Sequence, residues 1–196
     1  METDGGVPPI IIVSGLPRSG TSLMMQMLKA GGMPILTDDV RTPDESNPRG
    51  YFEFESVKRL RSDRSWLDQA VGRAVKIIHL LLRELPTDGR YRYRVIMMKR
   101  PIEEVLASQQ AMLERQGKTS GDPSVLAKIF ASQLAQAEEW MQTQPAFTSM
   151  SINHRELMTD PNGVAQTVAD YLNVRLDVAA MASTVDPALY RQRRTG

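Results

Sequence analysis

The feature that most limits how this chain can fold is the run Ile10-Ile11-Ile12-Val13-Ser14-Gly15-Leu16-Pro17-Arg18-Ser19-Gly20-Thr21-Ser22. A short apolar stretch, a turn bounded by glycines and a pair of hydroxyl residues read as strand, loop and helix start. That layout wraps backbone N–H groups around a phosphate. Gly15 and Gly20 keep the spacing of the pattern GxxxxGK[ST], but Thr21 stands where the pattern has its lysine. A cation is present inside the loop instead, at Arg18. The lysine is what serves the β- and γ-phosphates of a nucleoside triphosphate, so the phosphate cradle survives here and the hydrolase signature does not. A glycine-containing turn with no ligand is the plain alternative.

The rest of the chain repeats the alternation. Strand-like runs at Ile10–Ser14, Ala74–Ile78, Arg94–Met98 and Phe147–Ile152 are separated by helix-patterned segments. The pattern predicts an α/β fold of three α/β/α layers around a mainly parallel central sheet. The first helix is expected from Gly20 to the glycine pair after Ala30, a composition suited to a C-terminal stop. Further helices are expected over Glu103–Gln116, after Asp122-Pro123 and after Asp160-Pro161, the last two opened by a capping aspartate with proline at the first helical position. The apolar and Met stripes of these helices read as core rather than as a cofactor box. With 196 residues a single domain is expected, with a core over 8–175 and a basic tail over 176–196 that carries Arg191, Arg193 and Arg194. The stretch from Leu36 to Tyr51, with Pro43, Pro48, Arg41, Arg49 and clustered acids, reads as a long functional or mobile loop. The turn 117–121 reads as a linker, with a lid as the other option.

Composition closes several routes. A net charge of +1 gives no global reason to expect nucleic acid. The chain has no cysteine and two histidines, His79 and His154, which removes disulfides, thiolate chemistry and Cys/His zinc sites. No stretch is long and apolar enough for a signal-peptide core or a membrane span, so a cytoplasmic protein without membrane insertion is expected. A homodimer remains compatible with the sequence.

Pro17-Arg18-Ser19-Gly20-Thr21-Ser22 resembles the 5′-phosphosulfate loop of sulfotransferases, which use 3′-phosphoadenosine 5′-phosphosulfate (PAPS). The form with Arg is similar to the tyrosylprotein and heparan-type branches and to many bacterial relatives. The same family binds the 3′-phosphate with a strand-end arginine and a serine eight positions later. Arg100 and Ser108 stand in that relation after Val95-Ile96-Met97-Met98. Val75-Lys76-Ile77-Ile78-His79 and Leu85-Pro86 resemble the segment in which a lysine and a histidine meet the acceptor, with the spacing one residue longer here. Ile152-Asn153-His154-Arg155-Glu156-Leu157 is similar to the family's Tyr-Glu-Asp-Leu segment. The resemblance covers about Ile10 to Leu172. It implies in-line sulfuryl transfer to a hydroxyl or amine without a metal, with Pro17, Arg18, Ser19, Gly20, Thr21, Ser22, Arg100 and Ser108 holding the co-substrate. A small-molecule, glycan or peptide acceptor is compatible with it.

A neutral acceptor needs a general base within hydrogen-bond reach. His79 titrates in the right range, or is a partly buried strand-end histidine. Asp38 and Asp39, with Arg41, resemble the Glu-Glu-Thr-Arg segment of tyrosylprotein sulfotransferases, or are solvated loop charges. Glu53 resembles the carboxylate base of other bacterial sulfotransferases, or is a first-turn helix acid placed by the dipole. Two other classes stay open: a P-loop kinase or NTPase with a degenerate loop, and a non-catalytic module that binds PAPS or 3′,5′-ADP.

Overall fold

The structure, a computed structural model, describes residues 7–38, 40–45 and 47–186. In chain order the elements are β1 (Ile10–Gly15), α1 (Thr21–Ala30), β2 (Ile35–Leu36), a 3-10 turn over Glu55–Arg59, α2 (Leu67–Ala70), β3 (Ala74–Lys76), a second 3-10 turn over His79–Glu84, β4 (Tyr93–Lys99), α3 (Ile102–Arg115), α4 (Pro123–Gln142), β5 (Phe147–Asn153), α5 (His154–Thr159), α6 (Pro161–Leu172) and α7 (Val178–Ser183). The five strands pair in parallel in the order β2-β3-β1-β4-β5. Every strand therefore ends on the same edge of the sheet, where such folds place their ligands.

β1 is buried along its whole length because both faces of the sheet are covered. Side chains alternate with the pleat. Ile10 and Ile12 pack on one side with Val75, Val95, Met97, Trp66, Leu67 and Met141. Ile11 and Val13 pack on the other with Met24, Leu28, Ile96, Val168 and Met181. Each fully buried aliphatic or Met side chain of this kind contributes about 1.5–3 kcal/mol relative to an exposed one.

Capping matches the sequence signals. Asp122 and Asp160 accept from Ser124 N and Gly163 N at the starts of α4 and α6. Several boundaries differ from expectation. A fifth strand, β2, pairs with β3 at Ile35↔Ala74 and Leu36↔Val75, so the long connection starts one element later. β3 ends at Lys76 rather than Ile78. Glu53, expected in a first helical turn, lies in irregular backbone before the 3-10 turn, because Phe52 takes a positive φ of 51°. Residues 176–186, expected as tail, include α7, whose fully buried Met181 packs against Gly31 at the end of α1. Arg191, Arg193 and Arg194 lie outside the described residues, as does Asp39. No helix among the described residues is long and apolar enough to cross a membrane.

Candidate active site

The turn from β1 to α1 is held in a conformation that few residue types tolerate. Gly15 and Gly20 have φ of 147° and 102°, and Arg18 has 70°. A Cβ on Gly15 would lie 2.6 Å from Ser19 Oγ and 2.8 Å from the Met98 carbonyl oxygen. A Cβ on Gly20 would lie 2.6 Å from His154 Cδ2. Gly20 is also the N-cap of α1 and has no side-chain cap, and the first turn carries no acid. The leading N–H groups of the helix thus meet a positive dipole end with no competing carboxylate. Ser19 is buried, and its hydroxyl has no hydrogen-bond partner among the described residues. A buried hydroxyl left unpaired costs about 1–3 kcal/mol. The donor set suits an anion.

Around this turn lies a cleft of about 390 Å³. On the β4 side, Arg18 Nε donates to Ser108 Oγ at 3.1 Å, and Arg100 Nη1 donates to the Arg18 carbonyl at 3.1 Å. Residues separated by 90 and 82 positions in the chain thus meet at one point. Ser108 reaches it because α3 starts directly at the end of β4. On the β3 side, Lys76 Nζ donates to Ser22 Oγ at 3.1 Å and to the Tyr51 carbonyl at 3.0 Å. It also lies 3.5 Å from Glu53 Oε1, which accepts from Arg41 Nη1 at 2.9 Å. The Arg41 guanidinium stacks 3.4 Å from the centre of the Tyr51 ring, whose hydroxyl donates to Asp44.

Electrostatics follow burial. Desolvation pushes the Lys76 ammonium down to about 8, against the pull of Glu53. Arg18 is lowered by burial, with Tyr51 opposing. His154 is pushed down to about 4 by burial and by Arg100, so its imidazole is neutral at neutral pH.

Arg18, Gly20, Thr21, Ser22, Arg100, Ser108, Pro17 and Glu53 all line the cleft. Ser19, buried within the turn, does not line it. The other base candidates are placed elsewhere. His79 is 2% exposed and lies under the loop, with Nδ1 3.2 Å from the Gly15 carbonyl and Nε2 3.3 Å from Gln133 Oε1 on α4. The Asp38 carboxylate accepts from the backbone N–H of Glu55 at 2.6 Å and of Val40 at 3.2 Å. Beyond the co-substrate and base candidates, the cleft is also lined by Lys76 and Arg41, named above only through resemblance, and by Tyr51, Arg115 and His154. Lys76 had a signal, the resemblance of the Val75–His79 run to the segment in which a lysine meets the acceptor. Tyr51 had none. Among the described residues no group of three or more His, Cys, Asp or Glu side chains is placed to hold a metal ion.

No family model and no curated protein sequence matches the chain. Solved structures do. A sulfotransferase domain of the Synechococcus PCC 7002 olefin synthase aligns over 100% of this chain and 91% of its own length, at 17% identity and a TM-score of 0.59. Sulfotransferase STF1 of Mycobacterium tuberculosis H37Rv aligns over 95% of this chain and 74% of its own, at 16% identity and 0.55. Mouse sulfotransferase SULT7A1, solved as a complex with PAP, aligns over 91% of this chain and 62% of its own, at 15% identity and 0.55. The fold is sulfotransferase-like.

Proposed function

We propose that this protein is a PAPS-dependent sulfotransferase. The observation that carries the reading is the meeting of Arg18, Arg100 and Ser108 beside an uncapped helix start, in one cleft with Lys76 and Glu53. When bound, PAPS supplies an activated sulfuryl group that passes to an acceptor oxygen or nitrogen, with 3′,5′-ADP released. The N–H groups of 20–22 and the Arg18 side chain hold the 5′ end. Arg100 and Ser108 hold the 3′-phosphate by charge-assisted and hydroxyl hydrogen bonds. Lys76 presents a cation at the opposite wall and stabilises charge that develops on transfer.

Glu53 takes the acceptor's proton. It is the one described base candidate that lines the cleft, whereas His79 is spent on Gly15 and Gln133 and Asp38 on two backbone N–H groups. The pairing with Arg41 and Lys76 orients its carboxylate in the cleft.

Calorimetric titration tests the co-substrate half. The protein is expected to bind 3′,5′-ADP about ten- to a hundredfold more tightly than 5′-ADP, the worth of a charge-assisted contact. Arg18→Ala is expected to weaken both ligands. Full retention of 3′,5′-ADP affinity by Arg18→Ala would put the 5′ end somewhere else.

A further inference from the structure

Glu104 is a carboxylate buried in the first turn of α3, with a side-chain exposure of 3%. One oxygen, Oε2, accepts from Arg100 Nε at 3.1 Å. The other, Oε1, accepts from Arg155 Nη2 at 3.2 Å, on α5. Arg100 is itself 8% exposed and makes its second contact through Nη1 to the Arg18 carbonyl. A buried carboxylate is costly unless paired, and this one is paired on both sides by arginines from different elements. A first-turn acid needs no burial to favour a helix dipole, so capping electrostatics do not explain the arrangement.

We infer that Glu104 is the positioning residue for 3′-phosphate recognition, holding the Arg100 fork in the one plane that faces the phosphate loop. Glu104 holds the planar guanidinium at Nε, and the Arg18 carbonyl holds it at Nη1. Without Glu104 the hold at Nε is lost, so the charge of Arg100 remains while the direction of its fork is no longer fixed from that side. Arg155 supports the arrangement from outside by holding the second carboxylate oxygen. The consequence is specific to one ligand group. Ligands that carry a 3′-phosphate feel the loss, and ligands that lack it do not. The inference rests on the reading of the cleft as a PAPS site.

The test compares dissociation constants for 3′,5′-ADP and 5′-ADP in the wild type, Glu104→Met and Glu104→Gln, with thermal melts alongside. Met keeps volume and removes both acceptors; Gln keeps an acceptor for Arg100 Nε and removes the charge. In Glu104→Met the preference for 3′,5′-ADP is expected to fall by about tenfold or more, with 5′-ADP affinity within about twofold of wild type. Glu104→Gln is expected to recover most of the preference. A merely structural Glu104 would lower the melting temperature and weaken both ligands together, leaving their ratio intact. If Glu104→Met does not fold, a smaller but measurable loss of the ratio in Glu104→Gln carries the test. A wild-type preference that persists unchanged in the folded variants overturns this inference alone. Equal affinities in the wild type overturn the 3′-phosphate reading and this inference with it.

Discussion

At the residue scale, the most informative group is Lys76, because its charge is conditional. It is buried between Ser22, Tyr51 and Glu53, and desolvation brings its ammonium down to about 8. A lysine lowered in this way loses its proton as pH rises through that value, so the cation is present below about pH 8 and fades above it. The pH profile of kcat/KM reports groups of the free enzyme. It is expected to descend above about pH 8, roughly tenfold per unit. Lys76→Arg keeps a permanent cation and should remove that descending limb, while Lys76→Met should be slow and flat across it. A limb of unchanged position in Lys76→Met would assign it to another group. The same scale separates the acid–base candidates, since Glu53, Asp38 and His79 differ in what they already bond.

At the scale of elements, the turn between β1 and α1 is where geometry is least forgiving. Gly20 combines a φ of 102° with a missing Cβ that would otherwise press on His154. Gly20→Ala therefore meets two penalties, a backbone conformation that side chains rarely adopt and a close contact with a buried ring. A loss of about 1–3 kcal/mol in stability is expected, together with loss of 3′,5′-ADP binding. A variant with unchanged chemical denaturation and unchanged binding would contradict the description of this turn. Much of this element was legible in advance, since the glycine spacing and the Ile10–Val13 run are local signals. So were the caps at Asp122 and Asp160. Other elements were not. β2 has two residues, too few for a period to register. The positive φ of Phe52, which keeps Glu53 out of a helix, sits on a residue type that gives no warning of it. The burial of His79 depends on Gln133, 54 positions away on α4, a distance no local pattern spans.

For the whole molecule, the parallel sheet decides what can meet. Because all five strands run the same way, the ends of β1, β3, β4 and β5 bring Arg18, Lys76, Arg100 and His154 to one edge. Arg41, Tyr51 and Glu53, from the segment after β2, line the cleft, and Lys76 and Ser22 donate to the Tyr51 carbonyl. Arg49, from the same segment, reaches Thr184 and Asp186 beyond α7, which ties that segment to the last described residues. The cations converge on one cleft, and among its lining acids Glu53 is the one paired with Lys76. The direct test is single-turnover transfer of a radiolabelled sulfuryl group from PAPS to a panel of alcohols and amines in EDTA, comparing the wild type with Glu53→Gln. Metal-independent transfer by the wild type, reduced about a hundredfold or more in Glu53→Gln with 3′,5′-ADP affinity intact, is the predicted result. Transfer that disappears in EDTA and returns with Mg²⁺, or that proceeds undiminished in Glu53→Gln, would contradict it.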